Sequence, residues 1–220
     1  MPKVDAVYFE NKRGLILNAA FDVCMEKPVS SVTMTDIIKK AGISQGGLYK
    51  YYANIDEIFV ALANRMNADS TVVADVDLIV NSGQPPEVVI AGICDIAARK
   101  MRDTITGYGK ISYELDGMYT AYPEREEYYR KNVIEVSDYD YLVAKLFAFI
   151  EQNVEAAYLK PVVPLHDILM FIIASFDGIR RDVILSMHYK TQDTMPSYYA
   201  FDVENLMRCL LKSTLALLKA

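Results

Sequence analysis

The stretch Thr33–Tyr52, TMTDIIKKAGISQGGLYKYY, leaves this chain few folding options. Thr33-Met34-Thr35-Asp36 reads as a capping-box start, with the acid at the fourth position. The helix it opens should run to about Ala41, and Gly42 suits a left-handed C-cap. Ser44 can cap a second short helix, Gln45 to about Tyr51. Ala41-Gly42-Ile43-Ser44 is then a tight turn, and Ile37, Ile38, Ile43 and Leu48 can pack as the core of a helix-turn-helix. The second helix of such a unit enters the major groove of DNA. Gln45 has the amide for bidentate reading of adenine. Gly46 and Gly47 remove side-chain bulk, Tyr49 and Tyr51 carry hydroxyls that reach phosphates, and Lys39, Lys40 and Lys50 add charge. A plain helical hairpin satisfies the same spacing. The Gly-Gly pair argues for more, because each glycine costs a helix about 1 kcal/mol against alanine.

Helical spacing recurs along the rest of the chain. Ile16, Ala19, Ala20 and Val23 follow the i, i+3, i+4, i+7 pattern, and that helix should stop near Lys27-Pro28. Asn54-Ile55-Asp56-Glu57 opens another helix, which should reach about Asn81. Ser82-Gly83-Gln84-Pro85-Pro86 is the clearest loop signal. Long helices are expected beyond it at about 86–104, 107–121, 124–158, 164–189 and 201–219, punctuated by Pro123, Pro161, Pro164 and Pro196. No segment alternates β-branched residues at period two, so strands are not indicated. The expected fold is all-α: a helix-turn-helix domain at 1–55 and a larger helical body at 56–220.

Charge sharpens this division. The chain's net charge is −6, which argues against binding nucleic acid over the whole surface. Residues 1–60 hold 7 basic and 7 acidic side chains, so the deficit lies in the body. Three lysines and no acid fall between Asp36 and Asp56, which makes the reading unit locally basic. Cys24, Cys94 and Cys209 are odd in number and widely spaced. They give neither a disulfide framework nor a zinc signature, and point to a reducing, cytoplasmic setting. The N-terminus lacks the apolar core of a signal peptide, and no apolar run reaches the ~20 residues of a membrane span.

Several residues together resemble a known family. They are Arg13, Ile16, Leu17, Ala19 and Ala20; Thr33 and Ile37; Ala41-Gly42-Ile43-Ser44 with Gly46, Leu48, Tyr49, Tyr51 and Tyr52; and Glu57-Ile58. Over about residues 12–60 this pattern is similar to the N-terminal domain of the tetracycline-repressor (TetR) family. The resemblance implies a homodimeric transcriptional regulator, usually a repressor, with a three-helix DNA-binding domain. Its recognition helix would be about 45–51, with Ser44, Gln45, Gly46, Gly47, Tyr49, Lys50 and Tyr51 at the DNA and Thr33 and Thr35 on the backbone. Two positions depart from the pattern. Ile55 stands where the family usually has a phosphate-contacting lysine, and Gly47 where Thr, Ser or Ala is common. A shallower salt dependence is expected than for a lysine-bearing relative, by roughly one counterion per half-site.

The body carries two further signals. Leu206, Met207, Leu210, Leu211, Thr214, Leu215 and Leu218 form a 3–4 stripe on the last helix. The helix before it is apolar nearly all round in Ile168–Ala174, so it must be buried on every side. A partner can cover one of those sides, although a central core helix of a monomer has the same pattern. The resemblance implies a dimer interface of these two helices, assigned to Ile168, Ile172 and Ile179 with Leu206, Leu210, Leu211, Leu215 and Leu218. Two reading heads would then sit about one DNA turn apart, ~34–36 Å, on a palindromic operator. The family's small-molecule pocket is assigned to Met101, Ile105, Tyr113, Met118, Phe147 and Phe176. Eight of the 16 tyrosines fall in 108–141 among eight acids. That composition suits an aromatic or cationic ligand or a solvated acidic face.

Other classes fit less well. His166 and His188 form no metal motif, no phosphate loop of the GxxxxGK[ST] type occurs, and Cys24 and Cys94 sit in apolar helical contexts that favour inert thiols. The expectation is therefore a non-enzyme without cofactor or metal. The alternative is a helical ligand- or protein-binding adaptor with weak or lost DNA binding.

Overall fold

The computed structural model describes residues 6–68, 72–134, 136–189 and 201–219. Among them are eleven α-helices, one 3-10 turn and no strand, as the sequence indicates. Helix α1 (Ala6–Glu26) ends ahead of Pro28 and passes into the 3-10 turn Val29–Ser31. Helix α2 (Met34–Ala41) starts in the expected capping box. Thr33 Oγ1 accepts the Asp36 N–H at 3.3 Å, and the Asp36 carboxylate accepts the Thr33 N–H at 2.9 Å. It ends at Gly42, whose φ of +63° is left-handed, a conformation glycine adopts without a Cβ penalty. Helix α3 (Gln45–Tyr49) is two residues shorter than expected, and Ser44 Oγ accepts the Gly47 N–H at 3.1 Å.

Helix α4 (Ile55–Ala68) opens with Asn54 Oδ1 accepting the Glu57 N–H at 3.0 Å. The expected single helix to Asn81 corresponds to α4 and α5 (Val72–Val80); the intervening 69–71 lie outside the described residues, as do Glu135 and Pro196. Helices α6 (Pro86–Thr104) and α7 (Tyr108–Thr120) fall where the spacing predicts them. The expected helix 124–158 is two helices, α8 (Pro123–Asn132) and α9 (Asp138–Glu155). Val133 turns extended after α8, and Ser137 restarts the helix by accepting the Asp140 N–H at 3.1 Å. That Ser-x-x-Asp spacing is itself a capping signal. Helices α10 (Leu165–His188) and α11 (Val203–Leu218) complete the chain.

By packing, the residues group into two compact units. One comprises Met1–Asp69 with Lys110–Glu135, and the other Ser70–Gly109 with Val136–Ala220. In the first, α1 packs on α2 and α4, α2 on α3, and α4 on α8. Ile16, Ala20, Ile37, Leu48, Ile58 and Leu62 are its buried centre. In the second, α6 packs against α5, α9 and α11, and α10 against α11. Gly92 lets α5 and α6 come close, since a Cβ there would lie 2.7 Å from Ile79 Cγ1. No helix among the described residues is long and apolar enough to cross a membrane.

Candidate nucleic-acid interface

The head is built around α2 and α3. Ile37 and Leu48 are fully buried at their crossing, with Ile38 and Ile43 half-buried. Burying two such side chains supplies roughly 3–6 kcal/mol, which holds a five-residue helix that would not persist alone. With Leu48 turned inward, Gln45, Gly46, Tyr49 and Lys50 are exposed. Tyr49 retains 46% of its surface. Gly46 has open space where a side chain would stand.

Gly47 and Tyr51 instead line a groove shared with α1. A Cβ at Gly47 would sit 3.1 Å from the Ser44 Oγ that caps the helix, so glycine here spares the cap. The Tyr51 ring lies 5.8 Å from Phe9, and the Lys50 ammonium 5.0 Å over that same ring. Tyr8, Lys12, Leu15 and Ile16 of α1 and Ile43, Ser44, Gly47, Lys50 and Tyr51 enclose a groove of about 290 Å³. The sequence reading assigned nothing to the α1 side of this groove. Its spacing (8, 12, 15, 16) is one helix face and was legible as such, but the pairing with α3 is tertiary.

Thr33 and Thr35 stand exposed at the start of α2. Thr33 is already committed to the cap, its hydroxyl 2.6 Å from Asp36 Oδ2. The Lys27 ammonium bonds the same carboxylate at 2.5 Å. These contacts, that of Lys27 foremost, hold the Asp36 carboxyl at about 2, below its ordinary value. Lys40 is tied to Glu26 at 2.6 Å, so part of the local positive charge foreseen near α2 is internally balanced.

The head unit is fastened by contacts no local pattern shows. Lys110, only 2% exposed, donates to the carbonyls of Cys24 at 2.6 Å and Lys27 at 3.2 Å, and pairs with Glu114 at 2.9 Å. Glu114 in turn accepts the Val29 N–H at 2.7 Å. At the start of α4, Asp56 accepts from Arg125 Nη2 at 2.6 Å and from the Tyr119 hydroxyl at 2.9 Å. Tyr119 stacks on Tyr129 with centroids 4.3 Å apart. Burial, with the Asp56 charge beside it, pushes the Tyr119 phenol above its ordinary value.

The residues assigned to a ligand pocket do not fall in one unit. Tyr113 and Met118 lie on α7 in the first unit; Met101, Ile105, Phe147 and Phe176 lie in the second. Met101, Ile105 and Met118 are buried. The Ile105 carbonyl accepts from His188 Nε2 at 2.6 Å. Phe176 meets Tyr139 at 5.3 Å, and Arg180 stands over that tyrosine. Tyr141 donates to Asp77 at 2.6 Å. Much of the tyrosine- and acid-rich stretch therefore serves internal bonds.

The assigned interface residues also divide. Ile168, Ile172, Leu210 and Leu218 are at most 6% exposed, so they belong to the chain's own core and offer a partner almost no surface. The all-round apolar pattern of α10 could not set the phase of the helix. Its open side carries Met170, Phe171 and Ala174, with Ile179 half-buried; on α11, Leu206, Leu211 and Leu215 are half-buried. Among the described residues no group of three or more His, Cys, Asp or Glu could hold a metal ion.

Residues 16–62 match the model of bacterial regulatory proteins, tetR family. Over 187 residues the chain is 25% identical to YfiR, an uncharacterized HTH-type transcriptional regulator of Bacillus subtilis (strain 168), covering 83% of this chain and 85% of that protein. A tetR-family bacterial regulatory protein from Rhodococcus RHA1 shares the fold with a TM-score of 0.64 at 14% identity, over 94% of this chain and 96% of that one. The fatty acid degradation regulator FadR from Bacillus halodurans does so with a TM-score of 0.63 at 14% identity, over 93% and 94%. The capped helix-turn-helix lies within the residues that match the tetR-family model, so the resemblance read from the sequence is borne out over that segment, and the chain is similar to tetR-family regulators in its overall helical fold.

Proposed function

We propose that the chain is a cytoplasmic homodimeric repressor, released from a palindromic operator by a small molecule. One observation carries this reading: a capped α3 holds Leu48 in the core and leaves Gln45, Gly46, Tyr49 and Lys50 open to a partner. In this reading residues 1–55 contact DNA. Gln45 reads a base edge, Tyr49 and Lys50 flank it, and Thr33 and Thr35 meet the backbone. Residues 56–220 bind the effector and dimerise. Met170 and Phe171, 42% and 39% exposed on α10, supply apolar surface for the partner. An effector that prefers the arrangement unable to span two half-sites lowers DNA affinity by its differential binding free energy.

Fluorescence anisotropy with the DNA flanking the chain's own gene tests this. Salt-sensitive binding to one palindrome, tighter than to random duplex of equal length, is the expected result. Equal affinity for both duplexes would reject the regulator in favour of a helical adaptor.

A further inference from the structure

The groove beside the recognition helix is formed as much by α1 as by α3. Its floor is apolar, with Ile16 1% exposed and Leu15 and Ile43 beside it. Its rim carries two ammonium groups, Lys12 and Lys50, and two phenols, Tyr8 and Tyr51. No acid lines it. Among the described residues neither lysine is held by a carboxylate; each rests over an aromatic ring, Lys12 5.7 Å from the Tyr8 centroid and Lys50 5.0 Å from that of Phe9. Lys27 and Lys40, in contrast, are paired to Asp36 and Glu26. The head thus neutralises Lys27 and Lys40 internally, while Lys12 and Lys50 at the groove carry charge available to an external anion.

Resting on the DNA reading above, we propose that this groove seats the sugar-phosphate backbone of DNA next to the bases read by α3, with Lys12 and Tyr8 of α1 as backbone contacts. Three features favour that occupant. The groove shares α3 with the exposed Gln45 and Tyr49, so a backbone flanking the reading face meets it directly. Its charge is of one sign, complementary to phosphate. Its volume, about 290 Å³, is at or below the smallest pockets that enclose small ligands, whereas a phosphodiester needs only a rim. Gly47 keeps the groove open, since it lines the wall without a side chain. The contact is with phosphate, so it fixes register and adds affinity without choosing bases.

The test is the salt dependence of binding by the full-length chain, measured on its selected palindrome and on random duplex. Each phosphate contact contributes about 0.9 to the slope of log K against log salt. Lys12→Met should therefore flatten the slope by about 1.8 for two heads while leaving base preference unchanged. Lys12→Arg should restore it, and Lys145→Met, in the second unit and paired to Asp77, should keep the wild-type slope. An unchanged slope in Lys12→Met, with wild-type binding intact, overturns the groove assignment alone. A loss in Lys145→Met equal to that in Lys12→Met also overturns it. Wild-type protein that binds without salt dependence overturns the DNA reading and this inference together.

Discussion

Lys110 is the side chain whose removal should do most damage for its size. Helix α1 has no basic residue in its last turn, so its final carbonyls need a donor from elsewhere. Lys110 reaches them from α7, bonding the Cys24 and Lys27 carbonyls while pairing with Glu114, which caps the Val29 N–H. Lys110 is 2% and the Glu114 side chain 13% exposed, so both charges are largely shielded from water. Lys110→Met keeps most of the volume but strands the carbonyls and leaves the carboxylate without its lysine. Removing one partner of a buried pair costs about 3–5 kcal/mol. At roughly 2–4 °C per kcal/mol for a chain of this size, Tm should fall by about 10 °C. Glu114→Gln keeps an acceptor for Val29 and should cost less, about 1–3 kcal/mol. The double variant should cost less than the sum, because each single change already breaks the pair. Urea unfolding followed by circular dichroism, at one fixed protein concentration, gives all three values. A Lys110→Met penalty below about 1 kcal/mol, or strict additivity, would falsify the view that this pair fastens α1.

Further expectations are more local. Ile55 is half-buried in the first turn of α4, and Ile55→Lys should steepen the salt slope of DNA binding by about 0.9 per head; an unchanged slope would show that no phosphate lies there. The Asp36 carboxyl is held at about 2, so its cap contributes stability above the unfolded value near 3.8 and loses it only as pH falls through about 2. Carboxyl carbon chemical shifts followed through an acid titration check this, and a midpoint near 4 contradicts the Lys27–Asp36 geometry. Burial pushes the Cys24 and Cys94 thiols up to about 12. At pH 8 both should resist iodoacetamide until the protein is unfolded; mass spectrometry showing rapid native-state labelling of either would refute their burial.

What the sequence determined by itself lies within a few residues of each signal. Thr33 and Asp36 cap α2, Gly42 turns left-handed and Ser44 caps α3, because each device closes a hydrogen bond over three or four residues. The helix-turn-helix and its exposed Gln45 followed from those local bonds, together with Leu48 at the one position of α3 that faces α2. The break between α8 and α9 was equally local, at the Ser137 cap that the expected single helix 124–158 ran through.

Only the tertiary structure decided the rest. The contacts of Lys110 with α1 and of Asp56 with Tyr119 and Arg125 span 63 to 86 residues of chain, and no short-range pattern specifies which distant charge will meet. The inward turn of Ile168 and Ile172 was equally unreadable, since a helix apolar on all sides carries no phase until a neighbour packs against it. The groove between α1 and α3 arises the same way. Its two walls are ordinary amphipathic faces, and only packing around Ile16 and Leu48 sets Lys12 and Lys50 on one rim.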